Sequence, residues 1–155
     1  VAHFLERPVE ALTVGERFVS RGRTITETDI VNWCAMTGDW QVIHTDAVYA
    51  QASRFGQRIA PGLMVLAFAA GLGIPAASAT ILANYGTDRL RFVAPTLIGD
   101  TLHLEAEILE IAPRRAGVDA VVRSAWNMVN QNGKPVMVSD LLILMAYGPG
   151  AGEAA

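Results

Sequence analysis

Residues 59–84 read IAPGLMVLAFAAGLGIPAASATILAN, and none of these side chains is charged. About 20 apolar residues suffice to cross a bilayer, so length alone admits a membrane span as well as a helix wrapped by the rest of a domain. Pro61, Gly62, Gly71, Gly73 and Pro75 interrupt the run, small alanines fill it, and no interfacial Trp or Lys/Arg clusters stand close to both ends. The stretch therefore reads as a buried apolar helix, opened by Pro61 and running toward Gly73.

Beyond Asn84 the apolar period changes from helical to two. Leu102, Leu104, Ala106 and Ile108 share one face of Thr101–Leu109, and Thr101, His103, Glu105 and Glu107 share the other, which predicts a half-buried antiparallel strand. Val118, Ala120, Val122 and Trp126 continue that alternation on the next strand. Asn132-Gly133 predicts a two-residue type I′ hairpin turn. Val136–Tyr147, apolar on both faces, predicts a central strand or one buried by a partner chain; Tyr85–Val93 and Arg17–Ile25 supply two more strands. Upstream, Thr26 and Asp29 form a capping box for a helix over Glu27–Thr37 that Gly38 stops, and Asp46 caps a short helix from Ala47 to about Phe55. The class is α+β: about five antiparallel strands in a curved sheet wrapped around one long, central apolar helix.

The 155 residues suit a single domain, expected over residues 1–147, with a flexible tail of Gly, Pro and Ala over residues 148–155. Apolar residues reach 52% against 17% charged, which excludes a disordered chain. Twelve basic against fifteen acidic side chains leave a net charge of −3, too little positive field for nucleic acid or anionic lipid as a partner. The lone cysteine, Cys34, excludes an internal disulfide framework and a cysteine-based zinc site. Val1–Glu10 does not read as a secretion signal, and a cytoplasmic location is expected. No three-ligand spacing points to a metal, and no cofactor is expected.

Chemistry concentrates in Thr37-Gly38-Asp39-Trp40-Gln41-Val42-Ile43-His44, where a carboxylate follows a helix stop and an imidazole stands five positions on, in a short irregular segment. Adding water to a carbon–carbon double bond needs a base for the water proton and an acid for the carbon, and an Asp/His pair holding one water can serve as both. Spacing alone also allows a solvated turn aspartate beside a partly buried histidine. The Pro61-Gly62 helix start leaves the Gly62 N–H free at a positive helix terminus, where a thioester carbonyl would be polarised.

Thr37-Gly38-Asp39 with His44, Phe55-Gly56, Pro61-Gly62, Arg91-Phe92-Val93-Ala94-Pro95 and Gly99-Asp100-Thr101-Leu102 together resemble the MaoC-like dehydratases, which include the R-specific enoyl-CoA hydratases. The likeness covers roughly residues 17–147. It implies a hotdog fold, usually dimeric, acting on acyl thioesters of coenzyme A or acyl carrier protein. It also implies that Asp39 and His44 form the water-holding acid/base dyad and that the Gly62 amide binds the carbonyl. Three positions depart from the family pattern: Gln41 and Val42 replace Asn and Pro, and Pro61 replaces a His before the glycine. Gln41 supplies the lost amide from one methylene farther away.

The expected function is hydration of a trans-2-enoyl thioester, or the reverse, by a homodimer with Trp40, Met64 and Phe68 along the acyl chain. Arg89 and Arg91, or Arg54 and Arg58, are either solvated surface or the cations that hold the nucleotide end of coenzyme A. A thioesterase of the same fold is the alternative, disfavoured by the lack of a carboxylate in residues 59–84, and a non-catalytic acyl-thioester-binding subunit is the second. Cys34 reads as core, His103 as solvated, and His3 as part of a mobile end. Gly71-x-Gly73-x-x-Ala76 lacks the strand–turn–helix context of a dinucleotide site.

Overall fold

The computed structural model describes residues 3–148. Helix α1 is Glu27–Thr37, α2 Val42–Thr45, α3 Ala47–Ala52 and α4 Gly62–Gly73; the strands are β1 Arg17–Val19, β2 Arg23–Thr24, β3 Ile81–Phe92, β4 Thr101–Arg115, β5 Asp119–Val129 and β6 Pro135–Ala146. The sheet runs β1-β4-β5-β6-β3, antiparallel throughout, with β2 also on β4. The expected strand over Arg17–Ile25 is thus two short ones, giving six in all.

The charge-free stretch divides. Twelve residues form α4, a turn follows Ile74, and β3 begins at Ile81, four residues before the expected Tyr85. Among the described residues no helix is long and apolar enough to cross a membrane. Met64, Val65, Ala69 and Gly73 of α4 are buried, and Gly73 lies directly on Leu104 of β4 and Trp126 of β5. This is the hotdog arrangement of a helix seated on a curved antiparallel sheet. The helix has the expected extent, from Pro61 to Gly73, but is covered on one side only: Leu63 remains 59% exposed.

Period-two alternation does in β4 what the sequence predicts, burying Leu102, Leu104, Ala106 and Ile108. β6 is central, between β5 and β3, which explains its apolar residues on both faces. The β5–β6 turn differs from the expected type I′. Only Gly133 has a positive φ, 71°, and Asn130 spans the loop by donating its N–H to the Lys134 carbonyl while its Oδ1 accepts from the N–H groups of Asn132 and Lys134. That side chain supports a wider turn needing one left-handed residue rather than two.

The capping box of α1 forms as predicted, with Gly38 left-handed at its end, and Asp46 caps α3. Asp100, in the Gly99–Leu102 motif, is buried and accepts from the Leu97 N–H and the Gln131 amide, so this piece of the resemblance shapes a turn. Of the expected tail only Gly148 is described, its N–H donating to the Glu10 carboxylate; residues 149–155 lie outside the described residues.

His3 is not part of a mobile end. Its Nδ1 accepts from the Leu5 N–H at 3.0 Å and its ring lies against Phe4 and Phe18, beside the fully buried Phe4 and Leu5. Burial holds its pKa below the ordinary value, with Arg7 acting in the same direction against Glu6 and Glu16. Protonation would also remove the Nδ1 lone pair that caps the turn. The unfolded chain therefore takes up a proton that the folded chain resists, and stability falls as pH drops through the unfolded-state pKa of about 6.5. The thermal midpoint should fall more steeply between about pH 7.5 and 5.5 in the wild type than in His3→Gln. Parallel curves would contradict this reading.

Candidate active site

Gly38, at φ 78°, ends α1 and turns the chain, and the Trp40 N–H returns to the Gly38 carbonyl. The segment that follows is not wholly irregular: Val42–Thr45 closes the single turn α2, which carries His44 inward. The imidazole is buried, and its Nδ1 lies 2.7 Å from the Ile59 carbonyl oxygen. A carbonyl only accepts, so Nδ1 carries a proton, and the tautomer this selects has Nε2 as its acceptor. The Ile59 N–H in turn bonds the Ile43 carbonyl, joining α2 to the strand-like approach to α4.

Two residues on, Pro61 caps α4 without a side-chain bond, and its carbonyl accepts from the N–H groups of Met64 and Val65. Gly62, first in the helix, has no intrahelical acceptor for its N–H, and among the described residues no other group accepts from it. His44 and Gly62 line the same cavity of about 320 Å³, together with Phe92, Val93, Ala94, Val136 and the exposed Arg54. One cavity thus holds an imidazole of fixed tautomer and a helix-terminal amide. Together these can handle a proton and stabilise an oxyanion.

The other predicted residues are placed differently. Asp39 is exposed and outside the lining of that cavity, and among the described residues no donor bonds its carboxylate. It lies near Cys34, whose thiol is pushed up by burial first and by the Asp39 charge second. Trp40 is half exposed, and Gln41 precedes α2 without capping it. Met64 and Phe68 line a separate pocket of about 250 Å³ with Trp33 and Met36, where the Arg23 guanidinium stacks 3.8 Å above the Phe68 ring. Arg89 pairs with the buried Asp140, and Arg91 bonds the Leu90 carbonyl, so neither reaches the His44 cavity. Arg58 pairs with Glu27 at 2.7 Å. Of the arginines weighed as coenzyme A cations, Arg54 lines the cavity, and Phe92, which stood in a quoted motif without a role, lines it too. Among the described residues no three His, Cys, Asp or Glu groups cluster as metal ligands.

The family model for the MaoC like domain matches residues 10–127. The MaoC protein of Klebsiella aerogenes is 36% identical over 102 residues, which cover 66% of this chain and 30% of that much longer protein. Among solved structures, a MaoC-like dehydratase from Rhodospirillum rubrum superposes with a TM-score of 0.82 at 30% identity, over 92% of this chain and 98% of that one. The unliganded R-hydratase of Pseudomonas aeruginosa superposes with a TM-score of 0.76 at 32% identity, over 92% and 88%. With a family match over most of its length, a hotdog sheet, and His44 and Gly62 lining one cavity, the chain belongs to the MaoC-like dehydratase family.

Proposed function

We propose that the protein hydrates a trans-2-enoyl thioester to the (3R)-3-hydroxyacyl thioester, or runs the reverse dehydration. The observation that carries this reading is the shared cavity: His44, whose Nδ1 is tied to the Ile59 carbonyl, and Gly62, first residue of α4, line one space. The thioester oxygen accepts from Gly62, and a water held by His44 Nε2 and the Asp39 carboxylate attacks C3. Asp39 accepts a proton from that water, His44 fixes it, and the dyad returns a proton to C2 as the enolate charge on the thioester oxygen collapses. Among the described residues Asp39 has no partner for its carboxylate to leave, so it is available for the water. The bound thioester has to draw the exposed Asp39 loop onto the His44 cavity.

The physiological unit is a homodimer in this reading. β3 is a twelve-residue edge strand, and the exposed Leu63, Leu82, Tyr85 and Phe92 lie on it or on α4. A long exposed edge beside apolar side chains is the surface a second copy covers. The single buried thiol, Cys34, suits a cytoplasmic setting.

The direct test incubates the protein with trans-2-butenoyl-CoA and follows the ultraviolet absorbance of the conjugated enoyl thioester. Loss of absorbance with formation of the 3R product is expected. Release of free thiol instead would establish a thioesterase, and saturable binding without turnover would establish a non-catalytic binding subunit.

Arg54, exposed in the cavity lining, is the cation best placed for the phosphates of coenzyme A. Arg54→Ala should raise KM for a coenzyme A thioester about five- to tenfold while leaving KM for the matching N-acetylcysteamine thioester unchanged. Equal effects on both would remove Arg54 from phosphate binding.

A further inference from the structure

Phe92 ends β3, opposite Met137 of β6, just past the irregular pairing between Asp88 and Arg91. Its ring lies against Gly62. A Cβ built on that glycine would stand 2.8 Å from both Cδ2 and Cε2 and 3.0 Å from Cγ, closer than side-chain carbons tolerate. A side chain at 62 would therefore displace the aromatic ring from the start of α4. The ring itself is 44% exposed and lines the His44 cavity, so its position is not dictated by burial in the core.

A carbonyl oxygen that accepts from the Gly62 N–H brings its attached carbons past the neighbouring Cα, which the Phe92 ring covers. In a 2-enoyl thioester the first of those carbons beyond the carbonyl is C2. A hydrogen on C2 fits beside the ring, whereas a methyl group needs the ring to move away from the glycine it touches. We propose that Phe92 is a specificity-determining residue that selects acyl thioesters unsubstituted at C2. This rests on the hydration reading and adds a substrate class to it.

The test compares kcat/KM for trans-2-butenoyl-CoA and trans-2-methyl-2-butenoyl-CoA in the wild type, Phe92→Leu and Phe92→Ala. The wild type should prefer the unbranched thioester, and Phe92→Ala should lower that preference about tenfold or more, chiefly by gaining rate on the branched one, with Phe92→Leu between them. A purely structural role would lower both rates in parallel, so a constant ratio overturns the proposal. Hydration by the wild type with an unchanged ratio in the variants sinks the selectivity role alone. Absence of hydration by the wild type sinks the hydration reading and this role with it.

Discussion

His44→Gln lowers the rate of enoyl-thioester hydration about 10²- to 10⁴-fold, the range that a positioned acid or base contributes. The glutamine amide can still donate to the Ile59 carbonyl, so the tie that His44 Nδ1 makes at 2.7 Å has a substitute and the thermal midpoint should hold. What disappears is Nε2, the ring nitrogen not tied to Ile59. Asp39→Asn should cost a similar factor, because an amide cannot take the water proton. Steady-state kinetics of both variants, with circular dichroism to confirm folding, check the pair. Full activity in Asp39→Asn would leave His44 as the sole acid/base group, consistent with its exclusive place in the cavity lining and contrary to the mechanism above.

Gly73→Ala has the largest expected effect on stability. The added methyl would sit 2.5 Å from the Trp126 ring and closer still to Leu104 Cδ2, and both side chains are fully buried. Overpacking of a filled core costs about 1–3 kcal/mol, and two rigidly held neighbours place this site near the top of that range. At about 2–4 °C per kcal/mol for a chain of this size, the thermal midpoint should fall about 5–10 °C. Combining Gly73→Ala with Leu104→Ala should return part of the loss by the coupling of neighbouring sites. An unchanged midpoint would mean that α4 does not sit on β4 and β5 as described. The same measurement distinguishes this glycine from Gly71, which has open space around it and should accept alanine without loss.

Sequence pattern reached the fold through local rules that the structure obeys. The Thr26/Asp29 box, the Gly38 stop and the Asp46 cap set helix ends within one turn, because each satisfies particular backbone groups. Alternation located β4, and apolarity on both faces located β6 as central. What escaped was governed by partners distant in sequence. The β5–β6 turn is the local exception: Asn130, two residues before Asn132, spans the loop with its side chain and leaves only Gly133 left-handed. Residues 74–84 are apolar enough to extend a helix, yet they turn and enter β3 because that strand pairs with β6.

The site shows the same division. His44 and Gly62, each beside a helix end in the sequence, line one cavity in the fold. Met64 and Phe68 lie on α4 within two turns of Gly62, and helical spacing turns them toward α1 rather than toward His44. Arg89 read as a free cation, but its positive φ of 51° and its pairing with Asp140, 51 residues away, direct it over the sheet. Phe92 stood inside a quoted motif without a role. Its contact with Gly62 exists only once β3 is laid beside the start of α4.

The most direct measurement is a crystal structure of Asp39→Asn with trans-2-butenoyl-CoA bound. The account predicts the thioester oxygen within about 3 Å of the Gly62 nitrogen, and a water bonded to His44 Nε2 and to the side chain at position 39, facing C3. A thioester carbonyl bound away from Gly62, or side chains at 39 and 44 opening into different spaces with substrate present, would contradict it.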